Sequence, residues 1–106
     1  MNTDRPSSEP IIDTGTHVLK KTRHGYILYL RADNHVGVSL DLYGEYSEGE
    51  IDIFSQFIKP GMTIVDGGAN FGTHTVYFAK TVGNAGTVYA LEPQRLIFKF
   101  FVRILP

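Results

Sequence analysis

The chain has 106 residues, enough for one small domain with its own core, and ten basic against eleven acidic residues leave a formal net charge of -1. That balance shows no basic footprint for nucleic acid, and the absence of cysteine excludes a disulfide framework and a thiolate metal site. A composition 42% hydrophobic and 20% charged suits a soluble globular protein, and no apolar run is long enough to span a bilayer, so the expectation is a cytoplasmic protein with no membrane partner.

Met1 to Pro10 is polar, lacks the apolar centre of a signal peptide and reads as a disordered tail. Residues 11–46 read as a small antiparallel β meander with an edge or lid role. His17–Thr22 and Gly25–Arg31 predict two strands around the turn Arg23-His24-Gly25. Val36 to Leu42 alternates strictly, with Val36, Val38, Leu40 and Leu42 on one side, which predicts a further strand with one buried and one wet face.

Residues 47–106 read as a capping helix, one βαβ unit and the start of another helix. Ser47-Glu48-Gly49-Glu50 has capping-box form, in which the serine bonds the backbone three residues on and the glutamate reaches back. Ile51, Phe54, Phe57 and Ile58 form the apolar stripe of the helix it opens, and Pro60-Gly61 stops that helix. Met62 to Val65 predicts a buried strand, ended by Asp66. Gly67, Gly68 and Gly72 let the backbone turn tightly and approach a ligand with no Cβ in the way. Phe71, Thr75, Phe78, Ala79 and Val82 recur at helical spacing, predicting a helix from about Thr73 to Val82 with Gly83 ending it in a left-handed conformation. Thr87–Leu91 predicts a second buried strand, parallel to the first, with Glu92 at its tip. After Pro93 a helix should begin at Gln94. Arg95, Lys99 and Arg103 mark its solvated stripe, and every other residue from Leu96 to Leu105 is apolar. A helix so apolar needs cover on most of its surface. The expectation is a chain cut short: a fragment, a truncated gene product, or one with a shifted frame near its end.

Three kinds of nucleotide loop compete for the glycine stretch. A phosphate loop needs lysine where Thr73 stands, and the dinucleotide fingerprint needs glycines at relative positions one, three and six, which no register supplies. The third pattern, Asp-x-Gly-x-x-x-Gly, is met by Asp66, Gly68 and Gly72, with Glu92 at the end of the next strand. This is the pattern of S-adenosylmethionine sites. That cofactor has no phosphate to need a lysine. Free N–H groups around Gly72 and Thr73 can receive its carboxylate, Asp66 accepts on the ammonium side, and Glu92 can accept from both ribose hydroxyls.

Val65-Asp-Gly-Gly-Ala-Asn-Phe-Gly-Thr73, with Val88-Tyr-Ala-Leu-Glu-Pro93 behind it, closely resembles the FkbM family of S-adenosylmethionine-dependent methyltransferases. The family's D-x-G-A-N-x-G signature matches Asp66, Gly68, Ala69, Asn70 and Gly72, and its acid-proline pair matches Glu92 and Pro93. The lead-in Tyr43 to Glu50 and Ile58 to Gly61 looks like the family's approach to its first strand, so the resemblance covers roughly Tyr26 to Phe98. It implies an α/β chain of the Rossmann-like methyltransferase fold, truncated after the first βαβ unit. It implies methyl transfer, commonly to an oxygen of a sugar, polyketide or other small-molecule acceptor. It implies a cofactor site of Asp66, Gly67, Gly68, Ala69, Asn70, Phe71, Gly72, Thr73 and Glu92. After Phe98 the chain departs from the family, whose helix is more polar and contains asparagine. The later strands, with the adenine wall, the acceptor pocket and any catalytic base, are missing, so no catalytic residue is assigned and the isolated chain is expected to be inactive.

The remaining polar residues read more plainly. His17, His24 and His35 have no ligand-like spacing, so no metal is proposed, and His74 reads as exposed polarity on a helix's first turn. Glu45, Glu48 and Glu50 read as helix-start charges, and Tyr43 and Tyr46 as packing residues. Two other functions stay open: a fragment of a nicotinamide-dependent oxidoreductase, which shares the strand-end acid, and a non-catalytic remnant, which the apolar end favours. The acceptor and the oligomeric state are not fixed by the sequence.

Overall fold

Two small sheets share this chain, and the glycine loop lies where they meet. The computed structural model describes residues 9–102, with side chains through Lys99. All but the last two residues of the tail, and Arg103 of the basic stripe, lie outside the described residues. The first sheet holds β1 (Ile12–Asp13), β2 (His17–Lys21) and β3 (Tyr26–Leu30), antiparallel in that order. Val18 lies opposite Tyr29 and Lys20 opposite Ile27. Opposed residues share a face, and all four are buried. Arg31 braces this sheet, pairing with Asp13 at 2.7 Å and Asp41 at 3.3 Å, and it holds the Asp13 carboxyl below its ordinary value. Burial, reinforced by donation of its hydroxyl to Asp41 Oδ1 at 2.9 Å, pushes the Tyr29 phenol up.

The expected strand at Val36 to Leu42 is instead a helix, α1 (Val36–Tyr43). Val36, Gly37 and Leu40 are buried while Val38 and Leu42 are exposed, which is helical periodicity. Its start is held by Asp33, whose Oδ2 accepts the Gly37 N–H at 2.8 Å and whose carbonyl accepts the Val38 N–H at 2.9 Å. At its end Gly44 turns left-handed (φ 68°) and donates to Leu40 O. The buried Lys20 Nζ crosses from β2 to donate to the carbonyls of Leu40 at 3.2 Å and Asp41 at 3.0 Å. A cation at the helix C-terminus also complements its dipole.

The helix predicted after Ser47 forms as α2 (Glu48–Phe54), but not through a capping box. Ser47 sits at φ 57°, left-handed, and its hydroxyl donates to the Glu50 carboxylate rather than to a backbone amide. Ile51 is buried, yet the helix ends at Phe54, which leaves Phe57 exposed in the turn beyond and shortens the predicted stripe.

The second half follows the βαβ expectation. β4 (Thr63–Gly67), α3 (Thr73–Val82) and β5 (Thr87–Leu91) form in order, and β4 pairs with β5 in parallel. Gly83 has the expected positive φ of 68°, but at ψ -166° it lies outside the left-handed helical region. α3 packs on both strands. The opposite face is bare rather than buried as expected, with Val65 67%, Tyr89 58% and Leu91 59% exposed. The last helix, α4 (Arg95–Val102), packs on β3. Its Ile97 joins Val18, Ile27, Tyr29, Val36, Leu40 and Phe71 in one buried cluster, and this cluster ties the halves together.

Candidate functional site

β4 and β5 run parallel with Asp66 opposite Ala90. Glu92 follows Ala90 by two residues, so alternation puts it on the face of Ala90 and Asp66. The two acids therefore stand at the tips of adjacent strands and on the face that α3 covers. Thr75, buried in the first turn of α3, donates its hydroxyl to Asp66 Oδ2 at 2.6 Å. Thr75 was read from sequence only as a helical core position. Its spacing of one strand tip plus one tight loop from Asp66 is the signal that could have found its polar role.

Gly67 to Thr73 connect strand to helix. Gly68 and Gly72 have φ of 75° and 95°, which L side chains rarely adopt. A Cβ built on Gly67 or on Gly68 meets nothing within 4 Å, so the space beside them is open. Ala69 and Phe71 are placed differently. They are 4% and 0% exposed, and Phe71 points into the cluster that joins the two halves. Their expected place in the cofactor site is thus corrected: both residues are buried whole, and their N–H groups are donated within the chain, to Leu91 O and Asn70 Oδ1.

The backbone donors of the loop are mostly taken. The Gly68 and Ala69 N–H groups both donate to Leu91 O, at 2.7 and 2.9 Å, and the Gly72 N–H donates to Ala69 O at 2.9 Å. Asn70, left-handed at φ 57°, donates its N–H to Glu92 Oε1 at 2.8 Å, while its side-chain Oδ1 accepts the Phe71 N–H at 2.8 Å. The expectation that Gly72 offers a free amide is therefore corrected. The Val76 N–H makes the first ladder bond of α3, to Gly72 O at 3.0 Å. The amides of Thr73, His74 and Thr75 precede it, at the positive end of the helix. Glu92 Oε2 accepts the Gln94 N–H at 2.8 Å. Glu92 is thus a structural tie as well as a candidate ligand group, linking the tip of β5, the loop and the start of α4.

His74 is not the exposed polarity its position suggested. Its ring packs near Phe54 (5.7 Å between centroids), Phe78 (6.2 Å) and Tyr46 (6.4 Å). Its Nε2 is buried with no hydrogen-bond partner among the described residues. Tyr46 packs against the core as expected, whereas Tyr43 is 67% exposed. Glu48 and Glu45 do more than open a helix: Glu48 pairs with Arg23 at 3.2 Å and with His24 at 2.9 Å, and Glu45 with Arg23 at 3.3 Å. Among the described residues no group of three or more His, Cys, Asp or Glu could hold a metal ion, and no helix is long and apolar enough to cross a membrane.

An open groove of about 500 Å³ runs beside β5, lined chiefly by Ala79 and Val82 of α3, Val88 and Ala90 of β5 and Phe98 of α4. It touches Thr75 and Leu91, but neither Asp66 nor Glu92 lines it. Its walls are apolar, so it offers no recognition of charged or hydroxyl-bearing groups, and the polar chemistry stays at the strand tips. Comparison of the chain with protein-family models, with curated proteins and with solved structures found no match.

Proposed function

We propose that this chain carries the cofactor-binding part of an S-adenosylmethionine-dependent methyltransferase of Rossmann-like fold, acting on a hydroxyl of a small molecule such as a sugar or polyketide. The observation that carries the reading is the placement of Asp66 and Glu92 at neighbouring parallel strand tips, on one face, beside a glycine loop with open space at Gly67 and Gly68. The residues fit the group by their chemistry. A carboxylate has about four acceptor positions. One position on each Glu92 oxygen is taken by a backbone amide, which leaves two for a vicinal diol. Asp66 keeps Oδ1 and part of Oδ2 for an ammonium or a water. The amides at the start of α3 suit a carboxylate.

When bound, the cofactor supplies an electrophilic methyl group. The chain's own residues hold and orient it, and alignment with the acceptor oxygen is the main source of rate in such a transfer. A hydroxyl acceptor also needs a general base. None of the described residues is assigned that role, and the chain alone is expected to bind the cofactor weakly.

The test is a titration of the isotope-labelled chain, followed by amide chemical shifts, with S-adenosylhomocysteine and separately with NAD. Shifts at Gly67, Gly68, Thr73 and Glu92 with the former and not the latter are expected. Shifts with NAD alone support an oxidoreductase instead. No response to either, at the limit of solubility, removes the assignment.

A further inference from the structure

Asn70 is one of two non-glycine residues with positive φ among the described residues, and the loop's geometry turns on it. Its left-handed backbone aims the N–H at Glu92 Oε1 (2.8 Å), and its Oδ1 closes on the Phe71 N–H (2.8 Å). Asn tolerates this conformation better than other side-chain-bearing residues because its short polar group bonds locally. Phe71, fully buried, anchors the next link of the chain. On the far side, Pro93 has no N–H, so the next amide available to Glu92 is that of Gln94, at 2.8 Å on Oε2. The carboxylate is therefore gripped at both oxygens by backbone whose position does not depend on a flexible side chain.

We propose that Asn70 is a positioning residue: its left-handed turn fixes the Glu92 carboxylate so that its two remaining acceptor positions face a vicinal diol, and it thereby sets selectivity for a ribonucleoside over a deoxyribonucleoside. This rests on the cofactor reading above and goes beyond it in assigning Asn70 the task of holding Glu92 for the diol. Asn70 acts here through its backbone N–H on Glu92, while its side-chain Oδ1 accepts the Phe71 N–H. An unheld glutamate samples several rotamers and loses entropy on binding, whereas a held one does not.

The test uses the full chain with adenosine and 2′-deoxyadenosine as probes, with affinities read from amide shifts. Wild type is expected to favour adenosine by about tenfold or more, the worth of one hydrogen bond to a charged group. Asn70→Val, whose branched side chain opposes positive φ, should bring the ratio close to one. Asn70→Gly keeps the conformation and the amide, and should keep the ratio. The ratio is the informative quantity, because a loss of stability alone weakens both nucleosides together. If Asn70→Val does not fold, Asn70→Gly and Glu92→Gln decide: the first must keep the ratio and the second must lose it. A wild type that binds neither nucleoside, or both alike, overturns the site along with this inference. A wild type that discriminates, with a folded Asn70→Val that does so equally or an Asn70→Gly that does not, overturns the role of Asn70 alone.

Discussion

Phe71 lies inside a motif that suggests ligand contact, yet its ring is fully buried among Val18, Ile27, Tyr29, Val36, Leu40 and Ile97. The two facts belong together. A loop with glycines at 67, 68 and 72 has little side chain with which to hold its own shape, and each glycine adds backbone freedom that folding must remove. One large apolar side chain driven into the neighbouring core supplies the missing constraint. Removing it should therefore loosen the loop as well as the core. Phe71→Ala is expected to cost about 3–5 kcal/mol, a large share of the roughly 5–15 kcal/mol that holds such a domain. Phe71→Leu should cost clearly less. Urea unfolding of the three chains measures this, and a loss under about 1 kcal/mol for the alanine variant would place the ring outside the core.

At the scale of elements, α1 shows how far local pattern reaches. Val36, Val38, Leu40 and Leu42 alternate, and read alone that is a strand. The helix is decided by contacts the pattern does not contain: Lys20 on its last carbonyls, from a strand some twenty residues earlier, and the tight approach of Gly37 to the end of β3. Local punctuation did hint at it, since Asp33 precedes the segment and Gly44 follows it. By contrast β4, α3 and β5 were legible because Pro60-Gly61, Gly83, Gly86 and Pro93 mark their ends within the sequence. The positions of Asp66 and Glu92 were legible for the same reason, both acids being set by strand ends. The inward turn of Phe71 was not, because its partners lie far off in the chain. Gly37 gives the element its test. A Cβ there meets Leu30 O at 2.2 Å and Asp33 Cβ at 2.7 Å, and the oxygen belongs to backbone that cannot swing aside. Helix propensity alone predicts that Gly→Ala stabilises by about 1 kcal/mol. That gain is expected at the exposed Gly49 of α2, where a Cβ meets nothing within 4 Å. At Gly37 the sign should reverse. Thermal midpoints of the two alanine variants moving the same way would show that α1 does not lie against β3 as described.

For the whole molecule the unbalanced feature is the two-stranded parallel sheet. Parallel strands are ordinarily covered on both faces, because their connections place helices there. Here α3 covers one face, while the other presents Val65, Tyr89 and Leu91, each more than half exposed. Val65 and Tyr89 are opposed across the ladder, so they form one continuous apolar surface rather than two isolated ones. Such a surface attracts apolar dyes and other chains whatever the glycine loop binds. The folded chain is thus expected to enhance anilinonaphthalene sulfonate fluorescence and to scatter more light as its concentration rises. Replacing both residues, Val65→Thr with Tyr89→Thr, puts β-branched side chains that suit a strand at both positions and removes most of the apolar area. Dye fluorescence and scattering should both fall, with the unfolding free energy held within about 1 kcal/mol because both side chains are more than half exposed. The proposed site makes a useful internal control, since both residues alternate onto the face away from Asp66 and the proposed nucleoside binding should be unchanged. If the dye signal persists in the double variant, the exposed apolar surface lies along the groove at Phe98 instead. If stability collapses, Val65 and Tyr89 are covered in solution and the bare face does not exist.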